Sequence, residues 1–370
     1  MRGNPRNLSP WGVVCLTLAF AGCGKDATAP APPRLTDAAT TASQLDAIAA
    51  PTNTSALLSM EFASLSFITG ATGPVGISPL RAALPFPGGR GRPGGLGGLG
   101  GLAMLTLPRP MVGRPSGAAI FPDSVLGKTF VWDTAAHRYA ASSETGAPAN
   151  GVRFVLYVLD PLSFMPAVPL TVDGEVDFTD QSTTSASVLG VTVLGPPGPA
   201  PVTYAAYTIS VPSGPSPSTM SLAGFLSDGT TRLDLTATLN AGANSLTTQT
   251  TVDVAALAVH ITETASVSGT ASVVIATDLS VTSGGQTVRA NGSVTIDTAT
   301  AALSGSDSVT VDGRAFATIT VQNTGLGYVG APGVTLTAAD QAALRSLFET
   351  SVDVFAVDAV LSLPALTLKI

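Results

Sequence analysis

The chain has 370 residues, a net charge of -7 and a hydrophobic fraction of 45%, yet only 5% aromatic and 11% charged residues. Its acidic balance argues against a nucleic-acid partner, which demands a basic face. The two cysteines, Cys15 and Cys23, both lie near the N-terminus, so the body has neither a disulfide framework nor a thiolate metal site.

Residues 1–10 carry Arg2 and Arg6 and no acid, residues 11–22 (WGVVCLTLAFAG) form a short apolar run, and Ala21 and Gly22 precede Cys23. The run is shorter than the roughly 20 residues that span a bilayer, and its order is that of a signal peptide. It resembles the lipobox of bacterial lipoproteins, with Phe20 where Leu is usual. The resemblance implies removal of residues 1–22, acylation of Cys23 and, because Gly24 rather than Asp follows, sorting to the outer membrane. The expected location is therefore the cell envelope, with the domain facing the periplasm or the cell surface and the membrane as partner. An ordinary signal peptide with Cys23 as a bystander is the competing reading. Residues 23–42, which include ATAPAPPR, read as a Pro/Ala tether.

Residues 43–80 read as a helical segment. A first short helix is expected over 43–51, and a second over 55–68 with Thr54 or Ser55 as cap and Leu58, Phe62 and Leu65 at i, i+4, i+7. Residues 81–118 have a Gly/Pro density that no packed element tolerates and read as a flexible insert. Gly89–Gly94 satisfies G-x-G-x-x-G only formally, since no strand precedes it and Pro93 interrupts it. Arg81, Arg90, Arg92, Arg109 and Arg114 lie in a window free of acids, which fits either a hydrated loop or contact with anionic headgroups.

From about 119 the apolar period becomes two, and ten to twelve strands are expected. A two-residue turn at Asp228-Gly229 would pair Leu222 with Leu235, Gly224 with Leu233 and Met220 with Ala237. A turn at Gly284-Gly285 would pair Val281 with Val288, Leu279 with Ala290, Ile275 with Val294 and Val273 with Ile296. At Asp312-Gly313 a three-residue loop through Arg314 would keep the alternation. Residues 246–266 read as one long strand with a bulge near Ala255-Ala256.

Alternation places Asp173, Glu175 and Asp177 on one strand face beside Asp180, a geometry open to calcium or paired-carboxylate chemistry, although solvated charge ladders are commoner. His137 in a turn and His260 in a strand have no metal-ligand spacing. No G-x-S-x-G elbow occurs; no catalytic residue, metal or cofactor is expected, and the chain reads as a non-enzyme.

A C-terminal helix over 337–360 is expected, opened by Thr337 and Asp340, with an ending near Ser351 as the alternative and an extended close broken at Pro364. The fold class is thus α+β, mainly β: a curved antiparallel up-and-down sheet over 119–370, half-barrel or barrel-like, covered by that helix. In architecture alone it resembles the half-barrel periplasmic lipid carriers, which implies a lipid or other hydrophobic ligand between sheet and helix. Leu344, Leu347, Phe348, Val352 and Phe355 would line its cavity. The other reading is a structural or adhesive envelope lipoprotein with a filled core and no ligand.

Overall fold

The computed structural model describes residues 31–68 and 118–368, apart from positions 197, 199–200, 215–218, 243–244, 270–271, 298, 301 and 324. Cys23, the leader over 1–22 and the insert over 81–117 lie outside the described residues. Fifteen strands follow one another in a single open sheet, β15 at one end and β2 at the other, in the order β15 to β3, β1, β2. They are β1 Lys128–Asp133, β2 Arg138–Ala141, β3 Gly151–Tyr157, β4 Val172–Asp180, β5 Ala186–Leu194, β6 Thr203–Pro212, β7 Thr219–Ser227 and β8 Arg232–Ala241. The series continues with β9 Ser245–Val254, β10 Val259–Ser268, β11 Ser272–Ser283, β12 Gln286–Asp297, β13 Leu303–Val311, β14 Arg314–Gln322 and β15 Gly325–Gly330. All neighbours pair antiparallel except β1 and β3, which are parallel.

Side chains of alternate parity are dry on one face and wet on the other, as in β10, where Val259, Ile261, Ala265 and Val267 are buried between exposed His260, Thr262 and Thr264. The Gly284-Gly285 hairpin has the expected register throughout. At Asp228-Gly229 the faces are as expected but the register differs: Leu222 pairs with Ala237 and Gly224 with Leu235. The loop has four residues, 228–231, because the Asp228 carboxylate accepts from the amides of Thr230 and Thr231, and the resulting shift of two preserves parity. At Asp312-Gly313 the loop is the two-residue form, both residues at positive φ, and a bulge in β14 restores the alternation that a three-residue loop was expected to restore. The long strand over 246–266 is two strands: Ala255–Leu257 make a single 3-10 turn, Ala258 is left-handed, and β9 folds back on β10.

Among the described residues, three helices cover the dry face. They are α1 Ala38–Thr52, α2 Ser55–Ile68 and α3 Ala338–Leu368. The first starts inside the expected tether, because Asp37 caps it by accepting from Thr40 N at 2.9 Å. In α2, Thr54 Oγ1 accepts from Leu57 N. The Thr337–Asp340 cap of α3 forms as expected, but the helix runs through Pro364 to Leu368 instead of ending in an extended tail. An interior proline costs about 3 kcal/mol. Burial of Val360, Leu361 and Ala365 around it offsets that cost, at about 25 cal/mol per Å² of apolar surface.

Packing spreads the helices across the sheet: α2 lies against β2–β6, α1 against β7 and β8, and α3 against β9, β10 and β15 while touching both other helices. This double contact explains why α3 is buried on most sides and not along one stripe only. It is long and apolar enough to cross a membrane, but 67% of its most apolar window is buried inside the fold. The scarce aromatic residues gather at the β1–β2 end, where Phe62, Trp132, Tyr139, Phe154 and Phe178 form a chain of edge and tilted contacts with centroids 5.0–6.3 Å apart.

Phe355 is 1% exposed and packs on Ala265, Val267, Val273 and Ile275. Phe355→Ala is expected to cost roughly 3–5 kcal/mol in denaturant unfolding, whereas Gln341→Ala on the exposed side of α3 should stay within about 0.5 kcal/mol.

Candidate functional site

The region beneath α3 is where a ligand cavity was expected. Leu344, Leu347, Phe348 and Phe355 are all buried in the packing against the sheet, and Val352 is half-buried beside them. None of the five lines the cavity described between α1, the sheet and α3. That cavity lies between Ile48 and Thr52 of α1, Leu235 and Thr250 of the sheet, and Val357 and Asp358 of α3. The volume open to the centre of a water-sized sphere is about 20 Å³, room for about one water molecule, far below a small-molecule site.

The acidic run of β4 does not gather. Asp173 is the extra residue of a bulge opposite Leu156 and Tyr157, so it turns inward and accepts from Ser55 Oγ at 2.8 Å and Ser59 Oγ at 3.2 Å on α2. Glu175 and Asp177 stay on the outer face, 2.6 and 2.7 Å from the Arg153 guanidinium. Asp180 accepts from Ile120 N at 2.7 Å. The expectation of one shared face for Asp173, Glu175 and Asp177 therefore fails, because the bulge reverses parity at Asp173. His260 Nδ1 sits 2.6 Å from Asp253 Oδ1 on the outer face, and His137 lies in the β1–β2 turn. Among the described residues no three His, Cys, Asp or Glu side chains come together to hold a metal ion.

Three carboxyl groups that the sequence reading missed lie on the dry side. Glu263 is 3% exposed and its Oε1 accepts from Ser351 Oγ of α3 at 2.5 Å. Asp358, two helical turns beyond Ser351 on the same stripe, accepts from Thr250 Oγ1. Asp307 of β13 lies over Gly292, where an added Cβ would stand 2.2 Å from Asp307 Oδ1, so glycine is what makes room for the carboxyl. Glu263 Oε2, Asp307 Oδ1 and Asp358 Oδ1 are buried without a hydrogen-bond partner. A signal for them existed: Glu263 shares the inward parity of Ile261 and Ala265, and Asp307 that of Val309 and Val311.

Burial controls their protonation. It pushes Asp358 up to about 7, against the hydroxyls of Thr250 and Thr248, and Asp307 up to about 6. Glu263 is raised well above the usual range by burial, opposed by the Ser351 hydrogen bond and reinforced by the charges of Asp358 and Asp307. What the arrangement can do is change its charge: neutral when protonated, and three like charges under α3 when not.

In the unfolded chain these groups titrate at the ordinary carboxyl values of 3.8 and 4.5. Above those values the unfolded chain has lost protons that the folded chain still holds, so folding stability falls as pH rises from about 4 to about 7. For Asp358 the loss is on the order of 4 kcal/mol. Urea unfolding is expected to give a higher midpoint at pH 5 than at pH 8. Asp358→Asn should shrink that difference by being more stable than the wild type at pH 8. A midpoint independent of pH would refute the burial of these carboxyls.

Comparisons with family models, curated proteins and solved structures find no match to this chain.

Proposed function

We propose that this protein is a cell-envelope lipoprotein, held to the membrane by an acyl group on Cys23, whose β-domain is a filled, non-enzymatic structural or adhesive module. The anchor part is supported by the order of Arg2 and Arg6, the apolar run 11–22, and Ala21-Gly22-Cys23. The observation that carries the filled-core reading is that Leu344, Leu347, Phe348 and Phe355 are spent on packing against the sheet, beside a cavity open to only about 20 Å³. The face left for partners is the outer one, where Thr236, Thr251, Thr262 and Ser280 follow one another across β8–β11 in a row of hydroxyls.

A carrier of lipid or another hydrophobic ligand is the second reading. It is favoured by the unpartnered oxygens of Glu263, Asp307 and Asp358, which weaken the seat of α3 and would ease its lifting from the sheet.

Two measurements test these readings. Cys23→Ser is expected to move the protein from the membrane to the soluble fraction or to leave it unprocessed; normal cleavage with full membrane retention would refute the anchor. Native mass spectrometry of the Cys23→Ser protein should show the bare chain mass, and a copurified lipid would decide for the carrier.

A further inference from the structure

The hairpin turns β3–β4, β5–β6, β7–β8, β9–β10, β11–β12 and β13–β14 share one rim of the sheet, because each antiparallel strand reverses the last. Exposed large apolar side chains concentrate on that rim. Val158, Leu162, Val168 and Leu170 belong to the β3–β4 connection and Val172 opens β4, with Leu162 88% and Val168 77% exposed, and Val202 lies in the neighbouring β5–β6 turn. Isolated exposed apolar residues need no explanation, but a cluster on one connection does.

The connection is built, not loose. Asp160 Oδ1 accepts from Leu162 N and Ser163 N, Asp160 O accepts from Phe164 N, and Ala167 N donates to Val158 O. Met165 N donates to Ser163 Oγ and residue 166 is proline, so from Leu162 to Ala167 every backbone N–H is satisfied within the connection. Amides satisfied in this way need no water, which lowers the cost of moving Leu162–Ala167 out of it. Asp160 is the only charged residue in 158–172, and the two amides that it accepts hold its carboxyl below the ordinary range.

The chain also enters the domain at this rim. Thr36 N donates to Gln286 Oε1, Gln286 Nε2 donates to Arg34 O, and Gln44 reaches Leu257 O in the β9–β10 turn. The eleven residues from Cys23 to Arg34 span at most about 40 Å, so an anchor on Cys23 brings this rim toward the bilayer.

We propose that the β3–β4 connection is a second membrane contact, inserting Leu162 and Val168 into the interfacial layer of the bilayer that holds the acylated Cys23; this rests on the lipoprotein reading above. The lipid it fits is zwitterionic, since the connection carries a single charge, that of Asp160, and along the rest of the rim Asp228 and Asp312 in the turns stand beside Arg232 and Arg314 at the start of β8 and β14, with no basic excess to hold an anionic surface.

The test uses the acylated protein in phosphatidylcholine vesicles that contain a spin-labelled lipid. An environment-sensitive dye is placed on Val168→Cys or, on the opposite rim, on Thr184→Cys. The dye at 168 should shift to the blue and be quenched several-fold more than the dye at 184. Adding Leu162→Asp should abolish the difference, and replacing part of the phosphatidylcholine by phosphatidylglycerol should not enlarge it. Protein that floats with the vesicles while both dyes remain unquenched, or are quenched equally, overturns the contact but leaves the anchor. A blue shift at 168 that depends on protein concentration and not on the quencher assigns the patch to a second copy and also overturns it. Protein that does not float removes the anchor reading and this one with it.

Discussion

An open sheet whose inward side chains are mostly aliphatic cannot stand in water, and the covering of that face is the constraint on which the rest of this structure depends. Each strand alone is half wet and half dry, and only the joint cover of α1, α2 and α3 removes the dry half from solvent. The demand is strong enough to keep α3 helical through Pro364 and to begin α1 inside a stretch whose composition reads as tether. Local preference yields in both places because burial of a whole face outweighs the cost at one residue.

The cover is not made of apolar contacts alone. Ser351 and Asp358 on α3 meet Glu263 and Thr250 on β10 and β9, and Ser346 donates to Asp46 on α1 at 2.9 Å. These bonds set the rotation and height of α3 on a surface that would otherwise let it slide. Two of these carboxyls, those of Glu263 and Asp358, have a buried oxygen without a hydrogen-bond partner, so the same contacts that orient the helix make its seat sensitive to protonation. A carrier and a filled module differ in how readily that seat opens.

The candidate site was only partly legible before the fold was known. The stripe Leu344, Leu347, Phe348 and Phe355 was legible as an inward face, since heptad-like spacing reports which side of a helix is dry. Whether the inward face meets a cavity or a packed sheet depends on side chains from β9, β10 and α1, and no local pattern carries that. The acidic run of β4 misled for a related reason: period-two counting assumes an unbroken strand, and the bulge at Asp173 breaks it. The apolar connection at 158–172 has no period at all, and its meaning comes from exposure and from the rim on which it lies.

By itself the sequence determined the class of structure, the parity of most strands and the hairpin at Gly284-Gly285, because side-chain alternation and two-residue turn chemistry are local and agree there. It did not determine register where a turn could be drawn at two lengths: Asp228-Gly229 and Asp312-Gly313 share a dipeptide but close differently, one through Asp228 side-chain bonds and the other through a bulge. Nor did it separate one long strand from the β9–β10 hairpin at 255–258, or mark Glu263, Asp307 and Asp358 as one buried group. Those outcomes were decided by tertiary structure, for a physical reason common to all of them. The free energy of a turn or a buried carboxyl is set by what lies across the sheet or under the helix, and those neighbours can be a hundred residues or more away in the chain, 108 for Thr250 and Asp358 and 300 for Asp46 and Ser346.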